Sequence, residues 1–207
     1  PHVILEKYDG SMIAPFILNG ELHWGTKMGV TDVAKQVYPH LSAFYINFAN
    51  NCIKNYQCTP IFEWCSNKQR IVLDNKEDRL ILTGIRHIYT GVYVEYGDML
   101  DMAAPYMIPT AEWLDTNADD QELAEYVHDL EGAEGFVITF EDGYRVKMKS
   151  HWYLQLHRAK EAISQDRNIV ELIIENKLDD LKGLITNDTR LDEFELAITK
   201  NLVTVAR

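Results

Sequence analysis

The feature that most constrains this chain is the point where its apolar period changes. From Val3 to Gly97 the sequence is cut into short β-rich segments bounded by Gly, Asn, Asp or Pro. VILEK, SMIAPFILNG, ELHWGTK, TPIFEWCS, RIVLD, RLILTGIRHI and GVYVEYG all have this character. Side chains two apart on a strand share a face, so such segments bury one face against a second layer. One stretch interrupts them. TDVAKQVYPHLSAFYINFANNC sets Val33, Val37, Leu41, Phe44 and Phe48 at helical spacing, with Asp32 as a candidate cap and Pro39 as a divider. A surface helix is predicted within Asp115 to Leu130, starting at Asp119-Asp120, with Leu123, Tyr126, Val127 and Leu130 on one face. EGFVITF, EDG and YRVKMKS then read as a hairpin. After Tyr153 amphipathic helical patterns take over for good. The expectation is an α+β fold: antiparallel sheets with flanking helices over 1–157, then a helical segment over 158–207.

Charge is unevenly distributed. The net charge is −12, which argues against a surface that coats nucleic acid non-specifically. Ala111 to Tyr144 holds no lysine or arginine, whereas Arg145 to Lys160 carries five basic residues, two histidines and no acid. A basic strip in an acidic chain suggests a local anionic ligand; a solvated strand and helix start is the plainer reading. No run of 18 apolar residues occurs, so no membrane helix is expected. No charged-then-apolar leader opens the sequence, and Cys52, Cys58 and Cys65 make an odd count without C-x-x-C spacing. Both features lead to the expectation of a reducing, intracellular and cytoplasmic setting, the host's if the chain is phage-encoded.

Lys7 sits between the apolar VILE and the turn-like Tyr8-Asp9-Gly10-Ser11. It is either a solvated lysine at a strand rim or an amine held for chemistry. At neutral pH roughly one lysine in a thousand is the free amine, and burial or nearby positive charge raises that share. Alternation puts Arg145, Lys147 and Lys149 on one face of the second hairpin strand and Val146 and Met148 on the other. If Phe140 pairs with Tyr144, Glu134 falls almost opposite Ser150, beside Lys149. A carboxylate beside paired lysines is either a surface ion pair or a site that holds a phosphate and a hydroxyl together. Lysines that neutralise a triphosphate and carboxylates that hold sugar hydroxyls and metal make up the inventory for attack on an α-phosphate. Glu63, inside the apolar PIFEWC, needs a partner to offset its desolvation. Trp152 and Tyr153 are open to a core reading, and Asp179-Asp180 to that of a solvated helix turn.

The spaced series Lys7-Tyr8-Asp9-Gly10, Phe62-Glu63, Glu134-Gly135-Phe136-Val137 and Lys147-Met148-Lys149 resembles the covalent nucleotidyltransferases: DNA ligases, RNA ligases and capping enzymes. TKMG at Thr26 to Gly29, FEWCSNKQRIVL, KMKSHWYLQLH and NKLDDLKGLI look closest to the tRNA-repair RNA ligase family of T-even bacteriophages. The resemblance implies an ATP-grasp-like ligase domain of antiparallel sheets with flanking helices. It implies an ATP-dependent enzyme that uses magnesium and joins RNA 5′-phosphate and 3′-hydroxyl ends, cleaved tRNA among them, through a lysyl-AMP. No obligate protein partner is implied.

On that resemblance Lys7 is the adenylylated nucleophile, with Glu6 beside it at the nucleotide. Glu63 contacts the AMP ribose, Glu134 holds metal and nucleotide, and Val137 presses on the adenine. Lys147 and Lys149 contact the α-phosphate. Lys27 and Tyr153 serve the RNA-dependent steps, and Asp179 or Asp180 is a metal residue of the helical region. Family members carry a long segment ahead of the nucleophile, whereas only six residues precede Lys7 here, and the helical region looks short. Those departures keep open a truncated nucleotide- or RNA-binding module. A DNA ligase or capping-type enzyme is the nearer rival, though such enzymes usually continue into a β-barrel rather than helices.

Overall fold

The computed structural model describes residues 2–69, 72, 73, 75–116, 118–175 and 196. Its strands form two antiparallel sheets. One has three strands in the order β1 (His2–Glu6), β6 (Gly135–Phe140), β7 (Arg145–Lys149). The other has four, in the order β3 (Glu21–Gly25), β2 (Ser11–Leu18), β4 (Cys58–Cys65), β5 (Arg79–His87). The chain thus passes from one sheet to the other at Lys7 to Gly10.

Alternation along β4 decides which side chains meet which layer. Phe62 and Trp64 point to a core shared with Ile13, Leu82, Ile85, and Phe48 and Cys52 of α2 (Ala43–Tyr56). Phe62 is fully buried, with Trp24, Tyr45 and Phe48 rings 5.5 to 6.4 Å away. Truncating it to Ala would cost about 3–5 kcal/mol through lost transfer energy and the cavity left behind. Glu63 and Cys65 alternate to the opposite side, towards the three-stranded sheet. There Leu5, Tyr8, Cys65, Ile81 and Ala111 make a second, smaller core. The far face of the three-stranded sheet is covered by α4 (Asp120–Asp129), whose Leu123 and Val127 pack on Ile4, Phe136 and Ile138.

The prolines respect the ladders. β2 pairs with β4 only over Ser11 to Ile13, so Pro15, opposite Trp24 of β3, lacks a neighbour that would need its missing N–H. Pro60 of β4 sits past the same pairing, opposite Ile85 of β5 alone.

Several expectations hold and a few shift. The sheets, the hairpin and α4 lie where the patterning places them, and Asp119 caps α4 in a capping box with Glu122. Pro39 does divide the early helical stretch, into α1 (Asp32–Val37), a 3-10 turn Tyr38–His40, and α2. The cap of α1 is Thr31, not Asp32: the Thr31 hydroxyl accepts from the Ala34 amide. GVYVEYG is not a strand. Tyr93 makes one isolated bridge to Arg86, and α3 (Tyr96–Ala103) begins within the segment. RIVLD falls mostly outside the described residues; Val72 and Leu73 are in no strand. His157 lies inside α5 (His151–Ala162), which α6 (Asp166–Ile174) follows. Among the described residues, no helix is long and apolar enough to cross a membrane.

Candidate active site

Strand register gathers the basic residues. Opposed residues of an antiparallel pair share a face, so Leu5, Val137 and Lys147 form one row across β1, β6 and β7. The next row is Gly135 and Lys149, extended by Lys7, whose amide donates to the Gly135 carbonyl at 2.9 Å. These rows look across to Glu63 on β4.

The side chains converge at Glu134. Its Oε1 lies 2.6 Å from Lys7 Nζ and 2.9 Å from Lys149 Nζ, and its carboxylate is only 3% exposed. A buried carboxylate is tolerable where cations and hydrogen bonds compensate it, as two ammonium groups do here. Two glycines allow the approach. A Cβ on Gly135, which has φ +135°, would collide with the Met148 carbonyl oxygen. One on Gly10 would strike the Trp64 carbonyl, so only glycine lets the Lys7 turn lie against β4 beside Glu63.

A second buried carboxylate, Asp9, braces the arrangement. Its Oδ2 accepts from the Val72 and Leu73 amides at 2.7 and 2.6 Å, and its Oδ1 accepts from the Tyr153 hydroxyl at 2.8 Å. Ser150 caps α5 by accepting from the Tyr153 amide, while its own hydroxyl donates to the Ala133 carbonyl. That cap sets the first turn of α5 so that Tyr153 reaches Asp9, and Lys149 Nζ lies 4.9 Å from the centre of the Tyr153 ring. Burial, then the hydrogen bond to Asp9, hold the Tyr153 phenol above its ordinary range, so it remains a donor.

Glu63 is strongly affected by its surroundings. Burial pushes its carboxyl up to about 7; Lys7 and Lys147 pull it down, and Glu134 and Asp9 push it up further. At neutral pH it is poised between a proton donor and an acceptor, a state suited to a sugar hydroxyl or a phosphate oxygen.

Lys7, Glu63, Glu134, Lys149 and Tyr153 are therefore brought together, with Val137 and exposed Lys147 in the adjoining row. Glu6 is not among them. It opposes Phe136 on the other face of β1, and its carboxylate acts on buried Tyr8, whose phenol it helps push above its ordinary range after burial. Lys27 is exposed in the turn closed between Thr26 and Gly29, with no contact to the Glu134 cluster. Asp179 and Asp180 lie outside the described residues. The sequence alone assigns Asp9 no role, although the Lys7-Tyr8-Asp9-Gly10 stretch contains it.

Known proteins are similar to this chain in sequence and in fold. The RNA ligase family profile matches residues 1–153. A Thermovibrio ammonificans protein named provisionally as an RNA ligase is 26% identical over 196 residues, covering 89% of this chain and 50% of its own length. The chain thus spans about half the length of that curated relative. Among solved structures, Naegleria gruberi RNA ligase variants are similar in fold. One with ATP and manganese and another with AMP and manganese each have TM-score 0.57 at 15% identity. The matches cover 76% of this chain and 51% and 52% of theirs. With the profile spanning β1 to the first turn of α5, this chain belongs to the RNA ligase family.

Proposed function

We propose that this chain is the nucleotidyltransferase part of an ATP-dependent RNA ligase. The observation that carries the reading is the Lys7–Glu134–Lys149 convergence, at 2.6 and 2.9 Å, on the sheet face that also bears Val137 and Lys147. As the neutral amine, Lys7 Nζ attacks the α-phosphorus of ATP. A P–N bond forms, the bond to the bridging oxygen breaks, pyrophosphate leaves with that electron pair, and the nitrogen gives up one proton to solvent. Lys147 and Lys149 stabilise charge on the α-phosphoryl oxygens as they pass through the transition state. Glu63 takes a hydrogen bond from the ribose, and Val137 packs on the base. The AMP then passes to an RNA 5′-phosphate, and a 3′-hydroxyl displaces it to form the phosphodiester. Tyr153 holds Asp9 and Lys149 in register for these steps, and Lys27 on its exposed turn is available to the RNA. Cleaved tRNA is the RNA class this reading favours.

The donor set suits a magnesium ion, which commonly takes one or two carboxylates together with substrate phosphates. Glu134 would hold it. The ion supplies charge neutralisation along the triphosphate and an alternative partner for the carboxylate that now engages Lys7. Asp179 or Asp180 is proposed to add a metal carboxylate from the helical region.

The test is transfer of label from α-labelled ATP to the denatured chain, with Lys7→Ala and labelled GTP beside it. Label that needs ATP and is lost in Lys7→Ala supports the reading. Label from GTP would identify a capping-type enzyme. No label, with ATP still bound, would favour a nucleotide-binding module.

A further inference from the structure

Among the described residues, Arg145 is a cation without a counter-ion. Its guanidinium lies 3.6 Å over the centre of the Tyr93 ring. Among the described residues it makes no ion pair and no hydrogen bond, and its Nε is buried without a partner. Directly opposite on β6 stands Thr139, whose Oγ1 is buried and unpaired as well. Buried charges and hydroxyls are ordinarily satisfied, so two such groups side by side mark a place where something else completes them.

Both line a cleft of about 360 Å³ between the sheets, together with Val3, Leu5, Thr83 and Tyr93. Glu95 and Glu141 stand on its walls, yet neither is within ion-pair distance of the guanidinium. The opposite sheet makes room for the stack. A Cβ on Gly84 of β5 would lie 3.3 Å from Arg145 Nη1 and 3.3 Å from the Tyr93 ring.

Position in the sheet identifies the occupant. Thr139 and Arg145 are four residues along their strands from Gly135 and Lys149, roughly 13 Å at a strand's rise per residue. Leu5 and Val137 lie between. A nucleotide whose phosphate is at Lys7 and Lys149 runs past Val137 and delivers its base to this cleft. The apolar and aromatic lining suits a base better than a phosphate, which the lysines already serve. Thr139 beside Arg145 offers an acceptor next to a donor. That pair complements a purine edge presenting a ring nitrogen next to an exocyclic amine.

We propose that Arg145, steered by Tyr93 and seconded by Thr139, is the base-reading residue of the nucleotide pocket and donates to a ring nitrogen of adenine. This rests on the ATP reading above, and the two are tested by separate readouts.

Equilibrium binding of ATP to the full chain and to Arg145→Met is compared, with labelling of Lys7 followed in parallel. A lost hydrogen bond to a charged donor predicts about a tenfold or greater rise in Kd. Wild type is then offered 1-deaza-, 3-deaza- and 7-deaza-ATP, each with one ring nitrogen replaced by C–H. One analogue should bind more weakly by a similar factor, and in Arg145→Met that analogue should lose nothing further against ATP. Equal ATP binding by wild type and Arg145→Met overturns the proposal, as does wild-type indifference to all three analogues. Should Arg145→Met not fold, the analogue series on wild type and the milder Thr139→Val decide it by the same criteria. Absence of label on Lys7 with these binding differences intact would remove the ligase reading and leave the base site standing.

Discussion

Replacing Glu63 with Gln should make the protein's stability respond differently to pH, by an amount the structure sets. The carboxyl ordinarily titrates at 4.5 and is raised to about 7 in the fold, burial being the largest cause. Below about pH 4.5 it is protonated in both folded and unfolded chains and contributes no pH dependence. Between 4.5 and 7 the unfolded chain gives up the proton while the folded chain keeps it, so the folded state loses ground as pH rises. Each unit of pKa difference is about 1.36 kcal/mol, and the interval therefore corresponds to about 3 kcal/mol, complete above pH 7. Gln has the same shape and does not titrate. Urea unfolding of wild type and Glu63→Gln from pH 4 to 8 isolates the effect, since other carboxylates cancel in the difference. Glu63→Gln should gain relative to wild type across that range and level off above pH 7. A difference that stays flat, or that runs the other way, would refute a half-buried, desolvated Glu63 facing Lys7.

Two further perturbations probe the scaffold around the site. Tyr153→Phe removes one of the three hydrogen bonds that the described residues make to buried Asp9, while preserving the ring. A bond to a charged group is worth about 1.5–3 kcal/mol, so the urea midpoint should fall by that equivalent; an unchanged midpoint would mean Asp9 does not need this donor. Gly135→Ala combines φ +135° with a collision at the Met148 carbonyl. It should destabilise by about 3 kcal/mol or more, and a change of under 1 kcal/mol in calorimetry would show that the β6–β7 ladder accommodates a Cβ.

Legibility in the sequence followed the range over which each interaction acts. Period-two alternation gives the face of Arg145, Lys147 and Lys149 directly, and the EDG turn gives the pairing that brings Glu134 to Lys149. The α+β layering follows from the same local patterns. Lys7 and Glu63 were conspicuous because a charge in an apolar strand must have a reason. Asp9 was not, because its partners Val72, Leu73 and Tyr153 are 63, 64 and 144 residues away. The segment Gly91 to Gly97 has strand propensity in its aromatic and β-branched residues yet forms no strand. Tertiary contacts override it: Tyr96 begins α3 and donates its hydroxyl to the Ala111 carbonyl. Glu6 shows the limit of adjacency, since a neighbour of Lys7 on a strand necessarily points to the other face.

In the proposed chemistry Lys7 is a nucleophile rather than one partner in a structural ion pair. The most direct measurement is peptide mapping by mass spectrometry after the chain is incubated with ATP and magnesium. A mass increment of one AMP is expected, carried by the peptide containing Lys7 and absent in Lys7→Ala. AMP attached to any other residue, or an unmodified Lys7 in a protein that demonstrably binds ATP, would contradict it.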